Sequence, residues 1–262
     1  MKTKIIFAII FFWLYESGIK SQSINFKIEV GEELTYVVKY VLLELGELRF
    51  KILEKKEKEG QTYYRMMVYI DSYSGVPFVD LHQIYETNYN SNHYSDYFRA
   101  THKSEDYYGF TEYKFDYANK KLYVKQGDLK PYRIFKDTTE VLTKKMQDGL
   151  SLFYFARWNF GADRLAKLSC FVAEQKANTN INFYTKTEKA VSSYINYEVD
   201  CRKLDGETDV QGVFGLTGGF EGWFSNDEHS VPIYAKLHVI LGSVTCHLKS
   251  WRKSNWNPPR AK

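Results

Sequence analysis

Residues 34–70, LTYVVKYVLLELGELRFKILEKKEKEGQTYYRMMVYI, decide the fold. Leu34, Tyr36, Val38 and Tyr40 alternate with polar or smaller neighbours, and Leu43, Leu45 and Leu48 to Ile52 continue as a second run. Tyr64, Met66, Val68 and Ile70 form a third. Period-two alternation places every second side chain on one face, the pattern of a strand with one side in a core and one in solvent. The charged cluster from Glu54 to Glu59, closed by Gly60, reads as the turn between the second and third strands.

Reading onward, the polar, tyrosine-rich stretch 71–100 gives strands joined by an Asn/Ser turn in NYNSNHYSDYF. TEYKFDY (111–117) and KLYVK (121–125) form a hairpin turning at Ala118-Asn119-Lys120. The pattern breaks between Thr138 and Phe160, where Val141, Leu142, Met146, Leu150, Phe153, Tyr154, Arg157 and Trp158 recur at helical spacing. A short helical pair is expected there, the second helix capped by Asp148 and ended by Gly161. Strands resume at 165–174, 181–187, 195–204, 219–225, 231–239 and 243–251. Short strands with polar or glycine turns and few helices argue a mainly β fold: an antiparallel, strongly curved sheet or open β-barrel with a short helical segment mid-chain. Residues 23–254 are expected to form a single β-rich domain, with 255–262, which hold Pro258-Pro259, as a loose tail.

Upstream of the strands, Lys2 and Lys4 precede the apolar run IIFAIIFFWLY (5–15), and Glu16, Ser17 and Gly18 close it. Residues 1–22 therefore read as a secretory signal peptide, too short an apolar run for a spanning helix of ~20 residues. The expectation is an exported protein of the periplasm or outer-membrane periphery, which sets aside most ATP-, NAD- and nucleic-acid-dependent chemistry. The chain carries a formal +4, of which residues 1–22 contribute +2 through Lys2, Lys4 and Lys20 against Glu16. The remainder stands near +2, too balanced to steer toward nucleic acid. No second apolar run reaches spanning length, so no integral membrane segment is expected after residue 22.

Cys170, Cys201 and Cys246 are an odd set, which cannot close into a disulfide framework; they read as small buried hydrophobes. The 22 Tyr and 18 Phe against 5 Pro suit half-buried strand faces. His82, His93, His102, His229, His238 and His247 show no metal-ligand spacing, and the first three read as surface residues. Asn226-Asp227-Glu228-His229 joins acid and imidazole, yet Pro232 and the flanking strands make it a turn. Gly212, Gly215, Gly218 and Gly219 in QGVFGLTGGF precede a strand, so they form an inter-strand loop and not a phosphate cradle at a helix N-terminus. No nucleophile elbow, Walker loop, HExxH or dinucleotide fingerprint occurs, and nothing singles out a glycosidase carboxylate pair. Neither a catalytic nor a metal or cofactor residue is assigned.

Three groups of residues carry a resemblance. Gly31-Glu32-Glu33-Leu34-Thr35-Tyr36 with Leu45-Gly46-Glu47-Leu48 comes first, and Asp148-Gly149-Leu150-Ser151-Leu152-Phe153-Tyr154 with Arg157 lies mid-chain. Trp223-Phe224-Ser225-Asn226-Asp227, Val231-Pro232-Ile233 and Leu241-Gly242-Ser243-Val244 close the pattern. Together they resemble the exported bacterial proteins grouped as domain of unknown function 3108. The resemblance implies a β-rich envelope protein of Gram-negative bacteria, with the Ser21-Gln22 signal end suiting the Bacteroidetes, and it carries no activity. The three cysteines and a longer tyrosine-rich insertion around 85–110 depart from it.

The functional expectation is non-enzymatic binding of a lipid-like or glycan envelope ligand, apolar or amphipathic, inside the curved sheet. A scaffold acting on an envelope protein partner through the tyrosines of 85–117 is the alternative. A hydrolase of envelope polymers is the weakest.

Overall fold

The computed structural model describes residues 26, 28–76, 80–104, 107–209, 216–240 and 242–262. The proposed signal peptide and residues 211–215 of the glycine-rich stretch 211–220 lie outside the described residues. The strands are β1 (Glu33–Tyr40), β2 (Leu43–Lys58), β3 (Gln61–Ser72), β4 (His82–Asn90), β5 (Tyr94–Lys103), β6 (Tyr108–Asp116), β7 (Lys121–Leu129) and β8 (Tyr132–Val141). After the helix α1 (Ser151–Trp158) follow β9 (Arg164–Val172), β10 (Gln175–Ala190), β11 (Val199–Thr208), β12 (Leu216–Ser225), β13 (Pro232–Val239) and β14 (Gly242–Arg252).

All fourteen strands join one sheet, ordered β8-β7-β6-β5-β4-β3-β2-β1-β14-β13-β12-β11-β10-β9. The chain enters at the middle. It meanders outward to β8, crosses through residues 142–163, and restarts at the far edge with β9. From there it meanders back until β14 pairs with β1, antiparallel, Leu34 opposite Trp251 and Val38 opposite Cys246. The sheet is mainly β and antiparallel as the alternation implied, and it stays open: β8 and β9 are its edges.

The edges nevertheless curl toward each other, because among the described residues the inward faces have α1 and each other to bury against. Tyr113 on β6 meets Phe171 on β9 with ring centroids 4.8 Å apart, although these strands lie near opposite edges of the sheet. The crossover segment seals the seam. Ser95 N–H donates to Met146 O (3.1 Å) on one side, while on the other Gln147 N–H donates to Ser169 O (2.9 Å) and Gln147 O accepts from Phe171 N–H (2.8 Å). Met146, Leu150, Tyr154 and Phe160 from this crossover share one buried cluster with Met66, Val68 and Phe98 and with Phe171, Ile181 and Phe183.

Four expectations are corrected. The helical pair is a single helix, since Thr138–Val141 belongs to β8. That strand escaped the pattern because it is an edge with little buried face, leaving Tyr132, Phe135 and Val141 exposed. The charged cluster after Glu54 is strand to Lys58, not turn, with Glu54 opposite Arg65 and Lys56 opposite Tyr63; the reversal is confined to Glu59-Gly60. Residues 195–198 precede β11, which starts at Val199.

The expected loose tail is packed. Trp256 and Pro258 are buried, Pro259 O accepts from Asp200 N–H (2.9 Å), and Ala261 N–H donates to Glu198 O (2.9 Å). The indole Nε1 of Trp256 also donates to Asp227 (2.8 Å), which fixes the tail to the β12–β13 turn. An aromatic side chain buried at this point outweighs the local turn preference of the prolines.

Candidate functional site

Helix α1 owes its position to a buried carboxylate. Asp148 Oδ1 accepts from the backbone N–H of Leu150 (2.7 Å) and Ser151 (2.8 Å), and Ser151 Oγ in return accepts from Asp148 N–H (2.8 Å). This reciprocal pair is a capping box in function, as the sequence led one to expect of Asp148. The other oxygen, Oδ2, takes the Thr87 hydroxyl of β4 (2.6 Å), so the cap also ties the helix start to the sheet. Burial pushes the Asp148 carboxyl above its ordinary range despite the hydrogen bonds from Ser95, Thr87, Ser151 and Leu150 that pull it down.

The far end of α1 is held by ions. Arg157 is fully buried and makes a two-pronged pair with Glu32, Nη1 at 2.5 Å and Nη2 at 2.9 Å. Its Nε and Nη2 also reach the carbonyls of Ser230 (3.3 Å) and His229 (3.2 Å) in the β12–β13 turn. Lys253, just past β14, adds a second cation to Glu32 at 2.8 Å. Burial pushes the Glu32 carboxyl up, and the Arg157 and Lys253 charges overcome it, leaving the group below its ordinary value. Asp227 organises the same turn, its Oδ1 accepting from Ser225 Oγ (2.8 Å), His229 N–H (2.9 Å) and Ser230 N–H (3.1 Å). The structural reading of Asn226–His229 matches this geometry. Tyr36 on β1 donates its hydroxyl to Pro232 O at the start of β13, the strand beyond its neighbour β14 (3.0 Å).

With both ends fixed, α1 stands off the sheet on one side and leaves a cavity of about 240 Å³. Leu152, Phe153 and Ala156 of the helix face Ile181 on β10, Leu204 on β11, Phe220 and Phe224 on β12, and Ala235 and Leu237 on β13. Phe153 is braced from behind by Phe50, their rings stacked at 4.0 Å. Among the described residues lining the cavity, Glu221 is the one ionisable group, and it pairs with Lys203 at 3.2 Å. General acid–base work needs titratable groups in convergent pairs. This lining provides apolar surface instead, and suits burial of a hydrocarbon.

The residues weighed in the sequence fall elsewhere. His93, read as a surface residue, is half-buried in the β4–β5 turn with its ring 4.7 Å from that of Trp158, and burial lowers its pKa. His82 lies between Asp71 (3.0 Å) and Asp80 (3.5 Å) at the surface. The three cysteines are free and buried; burial pushes the Cys170 thiol to about 11 and that of Cys246 to about 12, which keeps them protonated. The tyrosines of 85–117 do not form the exposed face expected of a scaffold. Tyr89, Tyr94 and Tyr113 are buried, Tyr85, Tyr97, Tyr108 and Tyr117 are partly so, and Tyr107 alone of the eight is exposed.

Sequence reasoning missed Arg202. It stands on β11 two residues from Leu204, in phase with it, and is only 4% exposed. Its in-phase neighbours Asp200, Leu204 and Gly206 are a mixed set, so the alternation of β11 left no signal to mark it.

These features define a class: an open, β-barrel-like antiparallel sheet wrapped on a helix, with an apolar cavity between them. Within it, the chain belongs to DUF3108, a family of proteins of unknown function whose model matches residues 35–249. No curated protein matches the chain. Among solved structures, a β-barrel-like protein of domain of unknown function DUF1849 from Brucella abortus is similar, at 13% identity and a TM-score of 0.52, covering 86% of this chain and 98% of that one. A protein with YmcC-like fold from Bacteroides fragilis aligns at 9% identity and a TM-score of 0.38, covering 87% and 98%. The family residues converge in space: Glu32 and Arg157 pair, Asp148 caps α1, and Tyr36, Asp227 and Pro232 meet at the neighbouring turn. Together they secure the helix.

Proposed function

We propose that this protein is a non-enzymatic binder of an apolar or amphipathic ligand of the bacterial envelope, exported by way of residues 1–22 to the periplasm or outer-membrane periphery. The observation that carries the reading is the cavity of about 240 Å³ between α1 and strands β10–β13, with its hydrocarbon lining. It lies just below the ~300–1,000 Å³ of ordinary small-molecule sites, a size for one slender chain. Its walls are rigid, because α1 is pinned at one end by Asp148 and at the other by Arg157. A preformed apolar site loses little entropy on binding. The domain reads as one unit, since both halves of the sheet share the helix.

Native mass spectrometry of protein purified gently from its source envelope tests this. A bound small molecule of defined mass, removed by organic extraction with a fall in melting temperature, is the expected result. Bare polypeptide whose melting temperature no lipid or glycan raises would count against it. The scaffold reading has a different basis from the one expected: Tyr132 and Phe135 stand exposed on β8, an unpaired sheet edge able to accept a partner strand. In-cell crosslinking from position 135 tests that contact, and a chain captured alone removes it.

A further inference from the structure

Arg202 is the least explained group in the molecule. A guanidinium stays protonated in a protein, and a buried cation without a counter-ion is costly. Among the described residues the other deeply buried cations are paired: Arg157 and Lys253 share Glu32. Arg202 is 4% exposed, and its Nε and Nη2 have no hydrogen-bond partner. The nearby carboxylates are committed elsewhere. Asp227 takes Ser225, His229, Ser230 and Trp256, and Asp200 Oδ2 takes the Asn226 side chain (2.9 Å).

The position of this cation matters as much as its isolation. Leu204, two residues along the same inward face of β11, lines the apolar cavity. Phe224, the register partner of Arg202 on β12, lines it too. The ring of Phe224 packs on Phe160 at 4.8 Å, and Phe160 lies under the Arg202 guanidinium at 5.5 Å. Arg202 is not itself part of the lining; the cation stands one ring removed from it, over Phe160, which packs on the lining residue Phe224. The two free donors lie on one edge of the guanidinium, the edge that grips a carboxylate side-on. The same Nε and Nη2 edge holds Glu86 in the Arg65 pair of this protein, at 2.9 and 3.2 Å.

We infer that Arg202 anchors the carboxylate of a single-chain amphipathic anion, of the fatty-acid class, whose hydrocarbon fills the cavity beside α1. The inference rests on the ligand-binding reading above and names its ligand class. One chain fits a cavity of about 240 Å³ where a two-chain lipid does not. The carboxylate supplies the hydrogen bonds that Nε and Nη2 lack and a counter-charge in direct contact, where Asp227 and Asp200 act only through space.

Titration calorimetry of the delipidated chain with dodecanoate and with 1-dodecanol tests it. The two probes share a chain and differ in charge. Wild type is expected to bind dodecanoate at least tenfold tighter than dodecanol, and Arg202→Met to bring dodecanoate down to the dodecanol affinity while dodecanol binding is unchanged. Equal affinity of the two probes in wild type overturns the anchor and leaves the cavity reading standing. A carboxylate preference that survives Arg202→Met also overturns it, and failure of both probes to bind removes anchor and cavity reading together. Binding of dimyristoylphosphatidylglycerol in preference to dodecanoate would overturn the single-chain assignment. A second measurement needs no ligand: with the isolated cation gone, Arg202→Met is expected to melt higher than wild type when both are empty. A lower melting temperature would make Arg202 a structural residue and refute the inference.

Discussion

Glu32→Gln is the most searching perturbation of the helix clamp. In the native protein one carboxylate neutralises two buried cations, Arg157 at 2.5 Å and Lys253 at 2.8 Å. The amide keeps the shape and loses the charge, leaving two cations in a site that excludes water. Breaking a buried pair in this way costs about 3–5 kcal/mol. For a domain of this size that corresponds to a fall in melting temperature of roughly 6–20 °C. The pH dependence sharpens the test. The Glu32 carboxyl is held below its ordinary value in the folded state, so its contribution is complete above the unfolded pKa and is lost as pH falls through the folded one. Urea unfolding of both proteins from neutral pH into acid should therefore show a gap that narrows as the pH drops below the ordinary carboxyl range. A constant gap, or a loss under about 1 kcal/mol at neutral pH, would refute the clamp. Replacing Glu32, Arg157 and Lys253 together with apolar residues should recover much of the loss, since the penalty lies in the stranded charges.

Three further outcomes are expected. Tyr154→Phe should be neutral or stabilising by up to ~1 kcal/mol in thermal unfolding, because the buried Tyr154 hydroxyl has no partner and its removal strands nothing. Gly46→Ala should destabilise by about 1–3 kcal/mol, read by chemical denaturation, since the added Cβ would stand 2.2 Å from Asp71 O on the neighbouring strand. Truncation after Ser254 should lower the melting temperature by several degrees, because it removes buried Trp256 and its bond to Asp227; an unchanged value would return the tail to a loose segment.

Much of this fold is written in side-chain alternation. β3 and the 111–125 hairpin follow period two because each has one face in the core, and their burial repeats the pattern, whereas β1 at the middle of the sheet buries Tyr36, Val37 and Val38 in succession, on both faces. β8 was illegible for the converse reason: an edge strand with two open faces imposes no period on its side chains. The charged end of β2 was hidden in the same way, being held by its ladder with β3 and not by burial. Asp148 was legible as a cap because capping is local, whereas its bond to Thr87 spans 61 residues and leaves no local mark. The pairing of Glu32 with Arg157 across 125 residues is invisible for the same reason. The cavity exists only once both clamps hold α1 off β10–β13, so no stretch of sequence announces it.

The central claim is that an apolar chain enters the space between α1 and β10–β13. Methyl-resolved NMR of the chain titrated with dodecanoate tests this directly. The account predicts saturable shifts of the Ile181, Leu204 and Leu237 methyl groups, which line the cavity, with Leu122 and Val124 on β7 unmoved. Shifts confined to exposed residues such as Leu165 and Val141, or no saturable shift in the cavity methyl groups, would contradict it.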